Sequence, residues 1–78
     1  MKRYNDPVRV ELDRRRRPVR VHRRGTVFRV QELVDWWVVE GRWWIGGERR
    51  IHFRLSTDHG IIELYSCGDA WTLYRMFD

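Results

Sequence analysis

Histidine and cysteine, the side chains that most often bind transition metals, occur at only four positions in this chain. They are His22, His52, His59 and Cys67, and none of them forms a CxxC, HxxxH or HExxH motif. A structural zinc site normally needs four such ligands close together, so the spacing does not favour a metal site. His52 and His59 flank one strand-like run and its turn, and we interpret them as solvent-facing polar residues. No metal or other cofactor is expected.

Nucleophilic catalysis is not indicated either. It requires a serine, threonine or cysteine next to a base and an oxyanion donor. The candidates are Ser56, Ser66 and Cys67, and the run Ser66-Cys67-Gly68 is more typical of a turn between strands. No glycine pattern matches a phosphate-binding or dinucleotide-binding loop. We therefore expect a protein that is not an enzyme and has no small-molecule substrate.

The clustered basic residues are the strongest chemical signal in the chain. Residues 1–29 hold eleven basic and three acidic side chains, a formal charge of +8, whereas residues 30–78 hold five basic and eight acidic side chains, a formal charge of −3. A preference for arginine codons would explain the excess of arginine over lysine, but not this clustering. A small domain polarised in this way attracts polyanions to one side. The predicted nucleic-acid contacts are Arg14, Arg15, Arg16, Arg17, Arg20, Arg23 and Arg24.

Two tryptophan pairs, Trp36-Trp37 and Trp43-Trp44, bracket a short polar segment. Adjacent side chains of a strand point to opposite faces, so a one-sided core buries only one member of each pair. The other member is then covered by a loop, a second subunit or a partner, or stays exposed. Exposed tryptophan often marks a binding surface, and we predict these four residues as a protein interface. A loop that folds back and buries both pairs is the alternative.

The period of the hydrophobic pattern is two, which is typical of strands. Apolar and polar residues alternate over residues 8–13, 19–22, 50–55, 61–64 and 71–74, and turn-forming residues separate these runs. We predict a mainly β domain, a single small antiparallel sheet of about five to six strands that is strongly curved or forms an open barrel. The predicted core residues are Val10, Val21, Phe28, Val30, Phe53, Leu55, Leu64, Trp71 and Leu73.

The first two strands can be paired explicitly if residues 13–18 form the connection. The expected partners are Leu12 with Val19, Val10 with Val21, Val8 with Arg23, and Glu11 with Arg20. The last pair joins opposite charges across the two strands, which favours this register. The four arginines at positions 14–17 then lie together at an exposed loop tip.

Residues 26–40 are ambiguous between a strand and a helix. Val30, Leu33, Val34, Trp37 and Val38 have helical spacing. However, the segment is rich in valine and tryptophan, and no N-cap residue precedes the stripe. We favour a long strand with a bulge near Gln31-Glu32, and a short helix is the alternative.

Length and composition predict one domain, residues 1–78, with a compact core. One cysteine cannot form an internal disulfide. No apolar run approaches the roughly 20 residues of a membrane span, and no signal-peptide stretch follows Met1-Lys2-Arg3. We therefore expect a cytoplasmic protein.

Several runs carry a resemblance to known proteins. They are residues 25–30 (GTVFRV), 33–36 (LVDW), 41–44 (GRWW), 49–50 (RR), 62–65 (IELY) and 71–78 (WTLYRMFD). With these runs the chain resembles a bacterial family of small uncharacterised domains found beside or fused to ImuB-type, Y-family-like proteins of error-prone DNA repair. The resemblance covers most of the chain, although the arginine run at 14–17 has no counterpart in it. It implies an accessory role near translesion synthesis, with no activity to carry over.

Together these features predict a non-catalytic binding module. We expect a DNA-repair accessory that contacts a polymerase-like repair protein, nucleic acid, or both. The alternative is a purely structural homodimer that buries its tryptophans between subunits.

Overall fold

The computed structural model describes residues 2–41 and 48–77, which form six strands in one antiparallel sheet. The strands are β1 (Lys2–Leu12), β2 (Pro18–Arg23), β3 (Thr26–Val39), β4 (Arg50–Thr57), β5 (Gly60–Cys67) and β6 (Ala70–Phe77). Each strand pairs with the next along the chain, and β6 pairs with β1, so the sheet closes into a barrel. The predicted fold class is therefore confirmed. The described part of the chain contains no helix long and apolar enough to cross a membrane.

The barrel closes because its two longest strands each change partner along their length. In β1, residues 2–8 pair with β6 and residues 9–12 pair with β2. In β3, residues 26–29 pair with β2 and residues 30–39 pair with β4. Pairing irregularities around Gln31 and Val34 bend β3 between its two partners. The predicted bulged strand is thus confirmed, and an inserted residue supplies the added twist that closure of a small sheet requires.

The first hairpin keeps most of its predicted register. Val10 pairs with Val21 and Glu11 pairs with Arg20, as expected. The two outer pairs differ from the prediction. An irregularity after Glu11 places Leu12 opposite Pro18 rather than Val19, and Val8 pairs with Trp71 of β6 instead of Arg23. Val8 lies in the part of β1 that pairs with β6 rather than β2. Closure of the barrel therefore gives it a partner on β6 instead of the predicted one on β2.

The core fills the barrel from the inward-facing positions of the strands. Among the described residues, six apolar side chains are buried: Val21, Phe28, Leu55, Ile62, Leu64 and Leu73. Five of them were predicted from the alternation, and Ile62 was not in the predicted set. The other four predicted core residues, Val10, Val30, Phe53 and Trp71, are partly buried and pack against this cluster. Phe53, Leu64 and Leu73 are consecutive cross-strand partners, so one row of side chains links β4, β5 and β6.

Candidate nucleic-acid interface

The arginine loop, residues 13–17, connects β1 to β2 and is shaped by Asp13. The Asp13 carboxylate accepts hydrogen bonds from the backbone N–H groups of Arg15, at 2.8 Å, and Arg17, at 2.9 Å. The backbone adds two more bonds between Asp13 and residues 16 and 17. These backbone donors, Arg17 first, hold the pKa of the Asp13 carboxyl below its ordinary value. The loop therefore has a defined shape, with Arg16 in the left-handed region at φ 62°.

The four loop arginines are exposed, and three of them have no acidic partner in the part of the chain that the structure describes. Arg17 forms an ion pair with Asp13 at 3.4 Å. Among the described residues, no carboxylate lies within 4.0 Å of the guanidinium groups of Arg14, Arg15 or Arg16. These three positive charges are therefore presented to solvent together, as the sequence predicted for the hairpin tip. Pro18 is buried and begins β2, so the connection is one residue shorter than expected.

The three remaining predicted contacts do not share this end of the barrel. Arg24 lies in the turn after β2, about six strand residues or roughly 20 Å from the loop. That turn has positive φ at both Arg24 and Gly25, the geometry of a tight type I′ hairpin. Arg23 is committed to Asp6 through bonds of 2.9 and 2.7 Å, and it also stacks on Tyr4. Apart from Arg20, the predicted set therefore divides into the arginine loop, Arg24 at the other end of β2, and Arg23 in a partly buried ion pair.

Arg20 lies between these regions on the outer surface of β2. It contacts Glu11 at 3.4 Å across the hairpin, and His22 hydrogen-bonds the same carboxylate. The hydrogen bond from His22, followed by the charge of Arg20, lowers the pKa of Glu11 below its ordinary value. This carboxylate therefore stays ionised and neutralises part of the positive charge of β2.

The tryptophan pair of β3 is divided between two faces, as strand alternation requires. Trp36 is the cross-strand partner of Phe53 but lies beyond the buried positions of β3 and is 58% exposed. Trp37 is the partner of His52, and the two rings stack with centroids 5.4 Å apart and planes 15° apart. The second predicted pair, Trp43-Trp44, lies outside the described residues.

A second site, not predicted from the sequence, lies on the outer surface of strands β3 to β6. Here arginine guanidinium groups lie over aromatic rings: Arg50 over Tyr65 at 4.6 Å, Arg54 over Trp37 at 5.4 Å, and Arg75 over Tyr74 at 4.8 Å. Guanidinium groups stack well on aromatic faces because they are planar and weakly hydrated. The three arginines, Trp37 and Tyr74 border a depression of about 390 Å³, which we call the outer groove.

The floor of the outer groove contains two buried polar side chains. His52 is 6% exposed and Glu63 is 1% exposed, although both occupy positions where alternation predicted contact with water. Arg54 Nη2 donates a hydrogen bond of 3.4 Å to Glu63. The solvent-facing interpretation of His52 is therefore wrong. Long arginine stems and aromatic rings cover the outer surface of the sheet and exclude water from the residues beneath.

One signal for the outer groove was readable in the sequence. The turn at Asp58-His59 fixes the β4–β5 register, and that register places Arg54 directly opposite Glu63. For β6 the same counting fails: it puts Tyr74 opposite Glu63, whereas a pairing irregularity between Glu63 and Leu64 places Arg75 there. The burial of the group was not readable, because it depends on how side chains of four strands lie across one another.

The described residues offer little support for metal or thiol chemistry. Among residues 2–41 and 48–77, no three histidine, cysteine, aspartate or glutamate side chains are placed to hold a metal ion. The thiol of Cys67 donates a hydrogen bond to Glu48, and this acceptor raises the pKa of the thiol. Cys67 is thus held in its less nucleophilic, protonated form.

Comparisons of the chain with protein-family models, with curated proteins and with solved structures give no match.

Proposed function

We propose that this protein is a non-catalytic binding module that contacts nucleic acid through the arginine loop. The observation that carries the proposal is the exposure of Arg14, Arg15 and Arg16 in a loop of defined shape, without acidic partners among the described residues. Arginine binds phosphate oxygens with two parallel hydrogen bonds. Because Asp13 already orders the loop backbone, less conformational entropy is lost when the loop binds.

The cellular setting of this proposal comes from the resemblance to domains that accompany ImuB-type repair proteins. We place the module in the cytoplasm as an accessory of error-prone DNA repair, close to a polymerase-like partner. In that role it binds single-stranded or distorted DNA, and it takes no part in the reaction of the polymerase-like partner. The clustering of positive charge in residues 1–29 supports this role, because a polarised domain orients itself on a polyanion.

Replacing Arg14, Arg15, Arg16 and Arg17 together with alanine should weaken binding of a single-stranded oligonucleotide and reduce its salt dependence. For single strands, each lost phosphate contact makes the negative slope of log affinity against log salt shallower by about 0.7. The loss of four contacts therefore makes the slope shallower by about 3. Fluorescence anisotropy over a salt series measures both quantities.

The matched control removes the same charge elsewhere, by changing Arg3, Arg9, Arg29 and Arg49 to alanine. All four are exposed and lie outside the arginine loop. If net charge alone governs binding, the two quadruple variants will lose affinity equally, and the proposed interface is wrong. Absence of binding by the parent protein at about 50 mM salt also contradicts it.

A second candidate function, protein association through β3, is favoured by the exposure of Trp36. Val34 of the same strand is also exposed, and Val39 is exposed on the opposite face, where it borders the outer groove with Trp37. Apolar surface of this kind is often covered by another protein. We retain two versions of this candidate: a structural homodimer, and docking of a repair protein onto Trp36 and Trp37.

The homodimer predicts light scattering at twice the chain mass of 9.7 kDa at micromolar concentration. Replacing Trp36 with alanine should then produce monomers, because a central aromatic residue dominates the energy of many interfaces. Replacing Ile61, an exposed apolar residue of β5, with alanine provides the control. A parent protein that is monomeric excludes the homodimer and leaves Trp36 available to a different protein.

A further inference from the structure

The outer groove contains buried nitrogen atoms that have no hydrogen-bond partner among the described residues. Among the described residues, the buried side-chain atoms without a partner are His52 Nδ1, Arg54 Nε and Arg75 Nε. His52 Nδ1 lies 3.5 Å from Glu63 without forming a hydrogen bond to it. All three atoms belong to side chains that border this one depression, and the two Nε–H groups are necessarily donors. A buried donor without an acceptor is costly, so the groove is better suited to a state in which acceptors are supplied from outside.

The charge of the groove identifies the kind of acceptor. Three arginines, Arg50, Arg54 and Arg75, border it, and Glu63 is the one carboxylate among its described lining residues. That carboxylate already accepts a hydrogen bond from Arg54, which leaves a formal charge of +2 on the lining with His52 neutral. An anion with several acceptor oxygens matches both this charge and the unpaired donors. Phosphate is the common biological group with these properties.

The aromatic lining adds a second requirement. The indole of Trp37 and the phenol ring of Tyr74 border the groove beside the arginines. The rings of Tyr74 and Tyr65 meet His52 at 5.6 and 5.4 Å, so the aromatic groups form one continuous cluster. The volume of the outer groove, about 390 Å³, lies within the range of about 300–1,000 Å³ that is typical of small-ligand sites. A ligand that satisfies both requirements has a planar ring next to a phosphate group, and a nucleotide has both.

We propose that the outer groove binds a nucleotide, either free or as part of a single strand. The phosphate accepts hydrogen bonds from Arg54 and Arg75, and the base stacks against the ring of Trp37 or Tyr74. Base stacking of this kind does not depend on sequence, because every base has an aromatic face. The groove contains no residue of the arginine loop, so this site is additional to the one assigned above.

The test is titration of the 15N-labelled full-length protein with three probes: inorganic phosphate, AMP and a short oligothymidylate. Binding at the groove should shift the Nε–H signals of Arg54 and Arg75 and the indole signal of Trp37. A response to AMP identifies a free nucleotide, and a response to the oligonucleotide alone identifies a nucleotide within a strand. Equal responses to phosphate and AMP would overturn the base-stacking half of the proposal. No response to any probe would overturn it entirely.

Two variants and a control make the assignment specific. Replacing Arg75 with methionine should weaken nucleotide binding about tenfold or more, the loss expected for a charged hydrogen bond. Replacing Arg75 with lysine keeps the charge and the fold but removes the Nε–H group, and it should also weaken binding. Replacing Arg29, whose exposed side chain lies outside the groove, with methionine removes the same charge and should leave binding unchanged. Equal losses in the Arg29 and Arg75 variants would contradict the site.

The arginine-loop variant separates this proposal from the proposed function. With Arg14, Arg15, Arg16 and Arg17 replaced by alanine, the groove signals should still respond to AMP or to the oligonucleotide. If those signals no longer respond in the loop variant, the groove is not an independent site. A different result would contradict only the arginine-loop assignment. In that case the groove signals of the parent protein shift, but the two quadruple variants lose oligonucleotide affinity equally.

Discussion

Replacing Leu64 with alanine should lower the free energy of unfolding by about 2–5 kcal/mol, the range for removing a buried leucine side chain. Leu64 is fully buried and lies between Phe53 of β4 and Leu73 of β6 in one cross-strand row. Six fixed strands surround the resulting cavity, and a closed barrel has no free edge that can move in to fill it. A domain of 78 residues has a total stability of only about 4–12 kcal/mol. The variant should therefore be partly or largely unfolded at 37 °C.

Urea denaturation followed by circular dichroism measures this difference. The control is replacement of Ile61 with alanine, three residues earlier on the same strand and 38% exposed. That change should cost less than about 1 kcal/mol, because the side chain lies at the surface and is not part of the buried core. Equal midpoints for the two variants would show that Leu64 does not occupy the barrel interior.

Replacing Arg54 with methionine should cost about 3 kcal/mol at neutral pH, because it leaves the Glu63 carboxylate buried without its cation. Breaking a buried pair from one side typically costs about 3–5 kcal/mol. Arg54 itself is 36% exposed, so solvent replaces part of its effect, and we expect the lower end of that range. Replacing Glu63 with leucine in the same protein should restore most of the loss, since no buried charge then remains.

The chain contains a matched control for this experiment. Arg20 and Glu11 are also direct cross-strand partners and also lie 3.4 Å apart, but their side chains are 52% and 40% exposed. Replacing Arg20 with methionine should cost no more than about 1 kcal/mol, the usual value for a surface pair. Thermal denaturation of the four proteins compares two ion pairs with the same N–O distance and different burial. Similar costs for Arg20 and Arg54 would mean that Glu63 is solvated.

The local part of the fold was predictable because the strand signal is local. Side chains alternate with a period of two, so the sequence itself identified the inward residues of β4, β5 and β6. Tight turns fix the register of neighbouring strands, which explains why the pairing of Val10 with Val21 was confirmed. The exposed arginine loop followed from the same counting, since four charged residues between two paired strands have no core to enter.

Pairing of the chain ends was not predictable in this way. The contact of β1 with β6 joins Val8 to Trp71, residues that are far apart in sequence and have no turn between them to set the register. Whether the sheet stays open or closes depends on the sum of twist and bulges over all six strands. That sum is a property of the whole sheet, so no single segment of the sequence reports it.

By itself, the sequence determined most of the strands, most of the inward-facing residues and the concentration of positive charge near the N-terminus, and for β3 it favoured a bulged strand over a helix. Only the tertiary structure decided which arginines form ion pairs within the protein and which are exposed without an acidic partner among the described residues. Arg23 binds Asp6 through β1, whereas Arg14, Arg15 and Arg16 remain exposed. It also decided that His52 and Glu63 are buried, because their cover comes from side chains on neighbouring strands. Alternation predicts which side of a sheet a residue faces. Whether that side is buried depends on the side chains of neighbouring strands that cover it.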